Sequence, residues 1–192
     1  MMMTSAAHAS VTRRVPVPRE SRLSVAMRAL EAVAQTAASP DQHCAAHTEV
    51  AQCLLSLTHD ASQAEWHLQQ ALHWARKGGD LGMAVDLLCR LGATAFQIAQ
   101  HHERVGDHGR SRVCLNRARD YSFEAVQGLH GMPDRGAEAA LLARIAAVLN
   151  DCGDGEDAQA LLDRARRITL GPAEAARAMD GCPVVSAFGP LG

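Results

Sequence analysis

Apolar residues return every three or four positions through most of the chain, and polar or Gly/Pro interruptions cut that rhythm into segments. From Arg22 to Ala37, the residues Leu23, Ala26, Met27, Leu30, Val33 and Ala34 share one side at helical spacing. Ser39-Pro40-Asp41-Gln42 opens a second helix that runs to about Leu57; Ser39 can cap it, Pro40 suits its first turn and Gln42 completes a capping box. A third begins at Asp60 or Ser62, continues to Arg76 and is stopped by Lys77-Gly78-Gly79. The longest predicted helix runs from Asp80 to about Val105, with a stripe of Ala84, Leu88, Leu91, Ala95, Ile98, His102 and Val105. At 1.5 Å per residue such a helix extends ~38 Å, so its stripe needs neighbours along the whole length.

Gly106-Asp107 breaks that helix. The next spans about Gly109 to His130, with Ser111, Cys114, Leu115, Ala118, Ser122, Ala125 and Leu129 on one face, and Gly131-Met132-Pro133 ends it. Two more follow, from Arg135 to Asn150 and from Glu156 to Thr169. Gly171-Pro172 is expected to end the last of these, before a short Ala-rich helix from Ala173 to Met179. Residues 1–20, rich in Ser, Ala, Thr and Pro, read as a disordered segment, and 181–192 as a flexible tail. The domain is therefore expected at 21–180, with helix pairs near 42–76, 80–130 and 135–170.

A pattern recurs across these segments. Ala95, Ile98, Ala99, His102, Gly106-Asp107, Ser111, Leu115 and Ala118 return 47 positions later as Leu142, Ile145, Ala146, Leu149, Gly153-Asp154, Ala158, Leu162 and Ala165. Shifted back by 47, a weaker copy reads Thr48, Ala51, Gln52, Leu55, His59-Asp60, Ala64, Leu68 and Ala71.

Composition agrees with helices. The chain has 192 residues, 47% of them hydrophobic but only 3% aromatic. Ala and Leu dominate the apolar set, and they favour helix over strand. A net charge of −2 gives no general footprint for nucleic acid, which requires clustered positive charge. The arginines at 110, 112, 117 and 119, and at 164, 166 and 167, read as solvated outer faces. Six cysteines without a C-x-x-C pair, and the absence of a secretory signal, point to reduced thiols and a cytoplasmic setting. No unbroken apolar run approaches the length of a membrane span.

Candidate chemistry is sparse. His43 and His47 stand four apart on one helical face beside Cys44, but the sequence names no third ligand, and no metal or other cofactor is expected. His101, His102, Glu103 and His108 straddle a turn; His102, on the apolar stripe, is expected to be a buried, hydrogen-bonded histidine. Walker, dinucleotide and G-x-S-x-G signatures are absent, so an enzyme is not expected and no catalytic residue is assigned.

The paired helices around a tight Gly/Asp-type turn resemble the tetratricopeptide repeat (TPR) and its longer-period relatives. The positions matching the family's second helix are Ala64, Leu68 and Ala71, then Ser111, Leu115 and Ala118, then Ala158, Leu162 and Ala165. The family's usual period is about 34 residues, so a 47-residue period must lengthen helices or connections. The Tyr-type position holds Leu55, His102 and Leu149, and the Trp-type position Thr48, Ala95 and Leu142.

The resemblance implies an all-α, TPR-like superhelical array of antiparallel helix pairs, similar to those of bacterial signalling and regulatory proteins. It implies a concave groove lined by the first helix of each pair. Carried across, the groove positions are Ala46, Glu49, Cys53 and Ser56; Ala93, Phe96, Gln100, Glu103 and Arg104; and Ala140, Ala143, Ala147, Asn150 and Asp151. The partner-binding set expected from these is Glu49, Phe96, Gln100, Glu103, Arg104, Ala143 and Asn150, with Phe96 either a groove anchor or packed on the neighbouring repeat. The function implied is a non-catalytic scaffold or adaptor that binds a protein or peptide partner. The alternative is a sensor that changes shape on binding a small molecule or peptide. Neither nucleic acid nor membrane is an expected partner, and self-association through the Ala-rich end helices is a further expectation.

Overall fold

The computed structural model describes residues 21–130, 132 and 134–180. The segments 1–20 and 181–192, read above as disordered and flexible, lie outside them. The described residues form an all-α fold without strands: α1 (Arg22–Ala34), α2 (Pro40–Cys53), α3 (Ala61–Gly78), α4 (Leu81–Arg104), α5 (His108–Gly128), α6 (Arg135–Asp151) and α7 (Gly155–Asp180). A π-helical turn, Leu54–Thr58, extends α2.

Local chemistry sets most of the boundaries. Ser39 and Gln42 form the expected capping box at the start of α2. Asp60, Asp80, Asp107 and Asp134 each cap the helix that follows, the side chain accepting a backbone N–H three residues on. Left-handed residues precede three of these caps, at His59, Gly79 and Gly106, and a fourth, Gly153, precedes Asp154.

The turns at Gly106 and Gly153 share one hydrogen-bond pattern. Asp107 N–H donates to His102 O and Asp154 N–H to Leu149 O, while Gly106 and Gly153 donate to Glu103 O and Asn150 O. This is the Schellman closure, in which glycine adopts positive φ without a Cβ penalty. His59 (φ 55°), Gly106 (φ 80°) and Gly153 (φ 91°) stand 47 residues apart, so the sequence period coincides with a recurring backbone geometry.

Each short turn returns the next helix along its predecessor, and α2 packs on α3, α4 on α5 and α6 on α7. The central α4 also touches α3 and α6, and α1 covers one side of α2. Ala84, Leu88, Leu91, Ala95 and Ile98 of the α4 stripe are buried, as are Ser111, Cys114, Ala118, Ser122 and Ala125 of α5. Small residues let these two helices approach closely. A Cβ on Gly92 would lie 3.3 Å from Ala118 O, and one on Gly128 only 2.6 Å from Val85 Cγ2. An 18-residue window of α4 has the length and hydropathy (1.3) of a membrane span, but 56% of it is buried inside the protein.

Polar ties link helices distant in sequence. Arg119 of α5 donates to Asp154 (2.6 Å) and to Cys152 O, fastening α5 to the α6–α7 turn. Arg144 of α6 and Arg90 of α4 both bind Asp86. Gln69 donates to the Tyr121 hydroxyl at 2.9 Å, and Arg76 pairs with Glu124, tying α3 to α5. Glu138, on the buried face of α6, takes Arg135 at 2.9 Å and Arg164 of α7 at 2.6 Å. Burial opposes its charge, but the two guanidiniums outweigh that and hold the carboxyl below its usual value.

Several details differ from the sequence reading, which took Arg119 and Arg164 as solvated although they are tied to Asp154 and Glu138. The α2 helix does not stay regular to Leu57 but widens into the π-turn, which periodicity cannot distinguish from α-helix over five residues. Helix α7 runs through Gly171-Pro172 to Asp180 in place of two helices. Proline withholds its own N–H and its ring crowds the carbonyl four residues back, which costs about 3 kcal/mol in a helix interior, but the helix still continues past it. In α1 only Ala26 is buried, and Met27 is exposed, because among the described residues that helix packs mainly on α2.

Candidate functional site

The α2–α3 turn meets the last turns of α4 at one end of the helix pairs. Leu55 and Thr58 come from the π-turn, His59 from the left-handed position, and Asp60, Ala61 and Ser62 from the start of α3. Gln97, Ile98, Gln100, His101, His102 and Arg104 face them from α4, and together these residues bound a cleft of about 870 Å³. The floor is apolar, from the buried Ile98 and half-buried Leu55, and the rim is polar and largely exposed. Basic groups near the α4 C-terminus complement the negative end of that helix.

The carboxylates here are already occupied. Asp60 accepts from Gln63 N–H at 3.0 Å, and Asp107 accepts from Arg110 N–H at 3.1 Å. Arg104 donates only to Gln100 O, at 3.3 Å, and among the described residues it has no acidic partner.

A second chamber of about 400 Å³ adjoins the first, and Ser62, Ile98 and His102 belong to the walls of both. Its other walls are Glu65 of α3 and Arg110, Val113, Cys114 and Arg117 of α5. Glu65 is buried, and its Oε1 makes no hydrogen bond in the structure. The nearest charge is the Arg117 guanidinium at 3.4 Å, whose Nη2 donates instead to Cys114 Sγ at 3.2 Å. Burial pushes the Glu65 carboxyl up, and Arg117 only partly opposes it.

The seven residues expected to bind a partner fall in several places. Gln100 and Arg104 are exposed on the cleft rim. Glu103 accepts from His108 at 2.9 Å across the α4–α5 turn. Glu49 is held by Arg22 of α1, with Nη2 at 3.0 Å. Phe96 is half-buried against Ala95, Ala118, Val148 and Cys152. Ala143 and Asn150 line a separate hollow of about 340 Å³ between α6 and α7, with Ala147 and Leu162.

The histidines separate likewise. His43 stacks on Trp74 at 4.1 Å, whereas His47 turns to His67, with the two Nδ1 atoms 3.1 Å apart in a buried site edged by Trp66. Among the described residues no three His, Cys, Asp or Glu side chains converge as a metal site. His102 is half-buried, its Nδ1 4.0 Å from Asp107. Burial raises the thiol pKa of Cys44, Cys53, Cys152 and Cys89, the last to about 11, which favours the unreactive thiol form.

Reasoning from sequence missed Glu65, Arg117 and the His47–His67 pair. Glu65 carried a signal: it precedes Leu68 and Leu72 at steps of three and four, so it sits on the buried stripe of α3. A charged residue there needs either a partner or a purpose. The histidine pair had no such signal, because it joins two helices.

No family model matches the chain, and no curated protein matches it. Among solved structures, the crystal structure of BtubC (BKLC) from P. vanneervenii is 18% identical, over 88% of this chain and 75% of that one, with a TM-score of 0.32. A superposition of that quality does not establish a common fold.

Proposed function

We propose that the protein is a non-catalytic, TPR-like docking module, a scaffold or adaptor that receives a peptide segment of a partner protein. The observation that carries this reading is the cleft between the α2–α3 turn and the end of α4, about 870 Å³ with its adjoining chamber of about 400 Å³. An apolar floor with a rim of amide, imidazole and guanidinium groups suits a peptide, which offers side chains to the floor and backbone polar groups to the rim. The recurrence of left-handed turns every 47 residues supports the repeat-array reading. The contact surface proposed is the cleft, centred on Gln97, Gln100 and Arg104.

The test is a peptide-display selection on the wild type, with Ser62→Trp and Gln97→Trp as cleft-filling variants. Both positions are exposed, so circular dichroism should show unchanged helix content. Enriched peptides should bind the wild type and lose at least tenfold in affinity on either variant. Failure to enrich any peptide, or enrichment indifferent to both substitutions, would refute the reading.

A further inference from the structure

Resting on that peptide-docking reading, we infer that the segment taken by the two-chambered cleft is acidic, with an Asp or Glu side chain seated at Arg104 and an extended backbone continuing over Ile98 and His102 toward Val113.

The charge balance of the first chamber comes first. Its ionisable lining consists of Asp60, His59, His101, His102 and Arg104. Asp60 caps α3 through one oxygen, keeps its negative charge and has no ion pair with Arg104. Arg104 is exposed, makes a single bond to the carbonyl of its own helix, and leaves most of its five donors free. Three imidazoles share the wall with it, and neutral or charged, each can donate a hydrogen bond. At Arg104 itself a guest carboxylate meets only donors, and a guest ammonium is repelled there, the one carboxylate of the lining, Asp60, standing apart from it without an ion pair. Charge complementarity therefore selects an acidic side chain.

The second chamber supplies the apolar half of the argument. Glu65 is almost wholly enclosed (side chain 7% exposed), and its Oε1, sealed from solvent, faces the Arg117 guanidinium at 3.4 Å. Glu65 therefore forms part of the closed wall, and Val113, exposed on the same chamber, offers a guest side chain an apolar contact. The chambers share Ser62, Ile98 and His102, so one extended segment spans both. Arg110 is already paired with Asp107 at 3.3 Å and does not compete for the guest carboxylate.

The experiment uses the full chain and a display library of random dodecapeptides, read out by sequencing. Fluorescence anisotropy on three enriched peptides follows, each also synthesised with its Asp and Glu changed to Asn and Gln. Enriched peptides should show an excess of Asp and Glu. Their affinity should fall at least tenfold on amide replacement or on Arg104→Glu, and several-fold between 50 and 500 mM salt, conditions chosen to screen the pairing. Arg104→Glu changes an exposed side chain, and Arg104→Gln serves as a second, charge-neutral variant with a smaller loss. Peptides blocked by Ser62→Trp but lacking an acidic excess, or indifferent to both Arg104 variants, would overturn this inference and leave the docking reading standing. If nothing enriches, or Ser62→Trp blocks nothing, both fall together.

Discussion

Acidification from pH 7.5 to 5 should weaken the fold through one buried pair. His47 of α2 and His67 of α3 place their Nδ1 atoms 3.1 Å apart, so one ring must donate and the other accept, and the pair is made by neutral imidazoles. Burial, then the neighbouring His67 and His43, lower the His47 pKa from 6.5 to about 4, and burial lowers that of His67. A histidine with a depressed folded pKa contributes stability that is present above its unfolded pKa and is lost as pH falls from there toward the folded value. For His47, the full shift is worth about 3 kcal/mol at 1.36 kcal/mol per unit, and about 2 kcal/mol of that disappears by pH 5. His67 adds to the loss in the same direction.

The assay is urea unfolding at pH 7.5, 6.5, 5.5 and 5.0. Of the chain's two tryptophans, Trp66 sits beside both His47 and His67 and Trp74 of α3 stacks on His43 of α2, so both report on the α2–α3 interface. With a slope of about 2 kcal/mol per molar, the urea midpoint should drop by about 1 M across this range. In His47→Leu/His67→Met the pair is gone and the remaining carboxylates are unchanged, so the drop should largely vanish; replacing both partners by apolar groups is itself close to neutral. An equal pH dependence in wild type and double variant would refute the reasoning.

Three further outcomes follow from the packing. Gly128→Ala should destabilise by about 1–3 kcal/mol, since its Cβ would overlap Val85; an unchanged melting temperature would mean that α4 and α5 are less tightly apposed. Arg164→Met should cost about 1–3 kcal/mol at pH 7, because Glu138 then keeps only Arg135 inside a buried site, and the loss should shrink below pH 4.5 as the carboxylate protonates; urea titration at pH 7 and pH 3.5 checks both. His59→Gly should stabilise by up to about 1 kcal/mol by relieving a left-handed side chain, whereas Gly106→Ala, at the equivalent turn, should destabilise by a similar amount; thermal melts of the two variants should move in opposite directions.

The sequence by itself determined most of the helix boundaries, but not the π-turn after Cys53 or the run of α7 through Gly171-Pro172. The starts at Asp60 and Asp80, the breaks at Gly79, Gly106 and Gly153 and the stripe from Ala84 to Ile98 are local signals, because capping and amphipathic period act within one or two turns. Gln100 and Arg104 were also legible as exposed positions of α4, since they lie opposite its stripe.

Only the tertiary structure decided what each helix face meets. Phe96 packs toward Val148 and Cys152, Glu49 answers Arg22, and His47 finds His67 rather than sharing an ion with His43. These partners come from different helices, and their meeting depends on the rotation and offset of one helix against another. Neither quantity is written into a 3.6-residue period. The cleft arises in the same way: the π-turn shifts the end of α2, the next helix starts from a left-handed His59, and the space left against α4 is set by both.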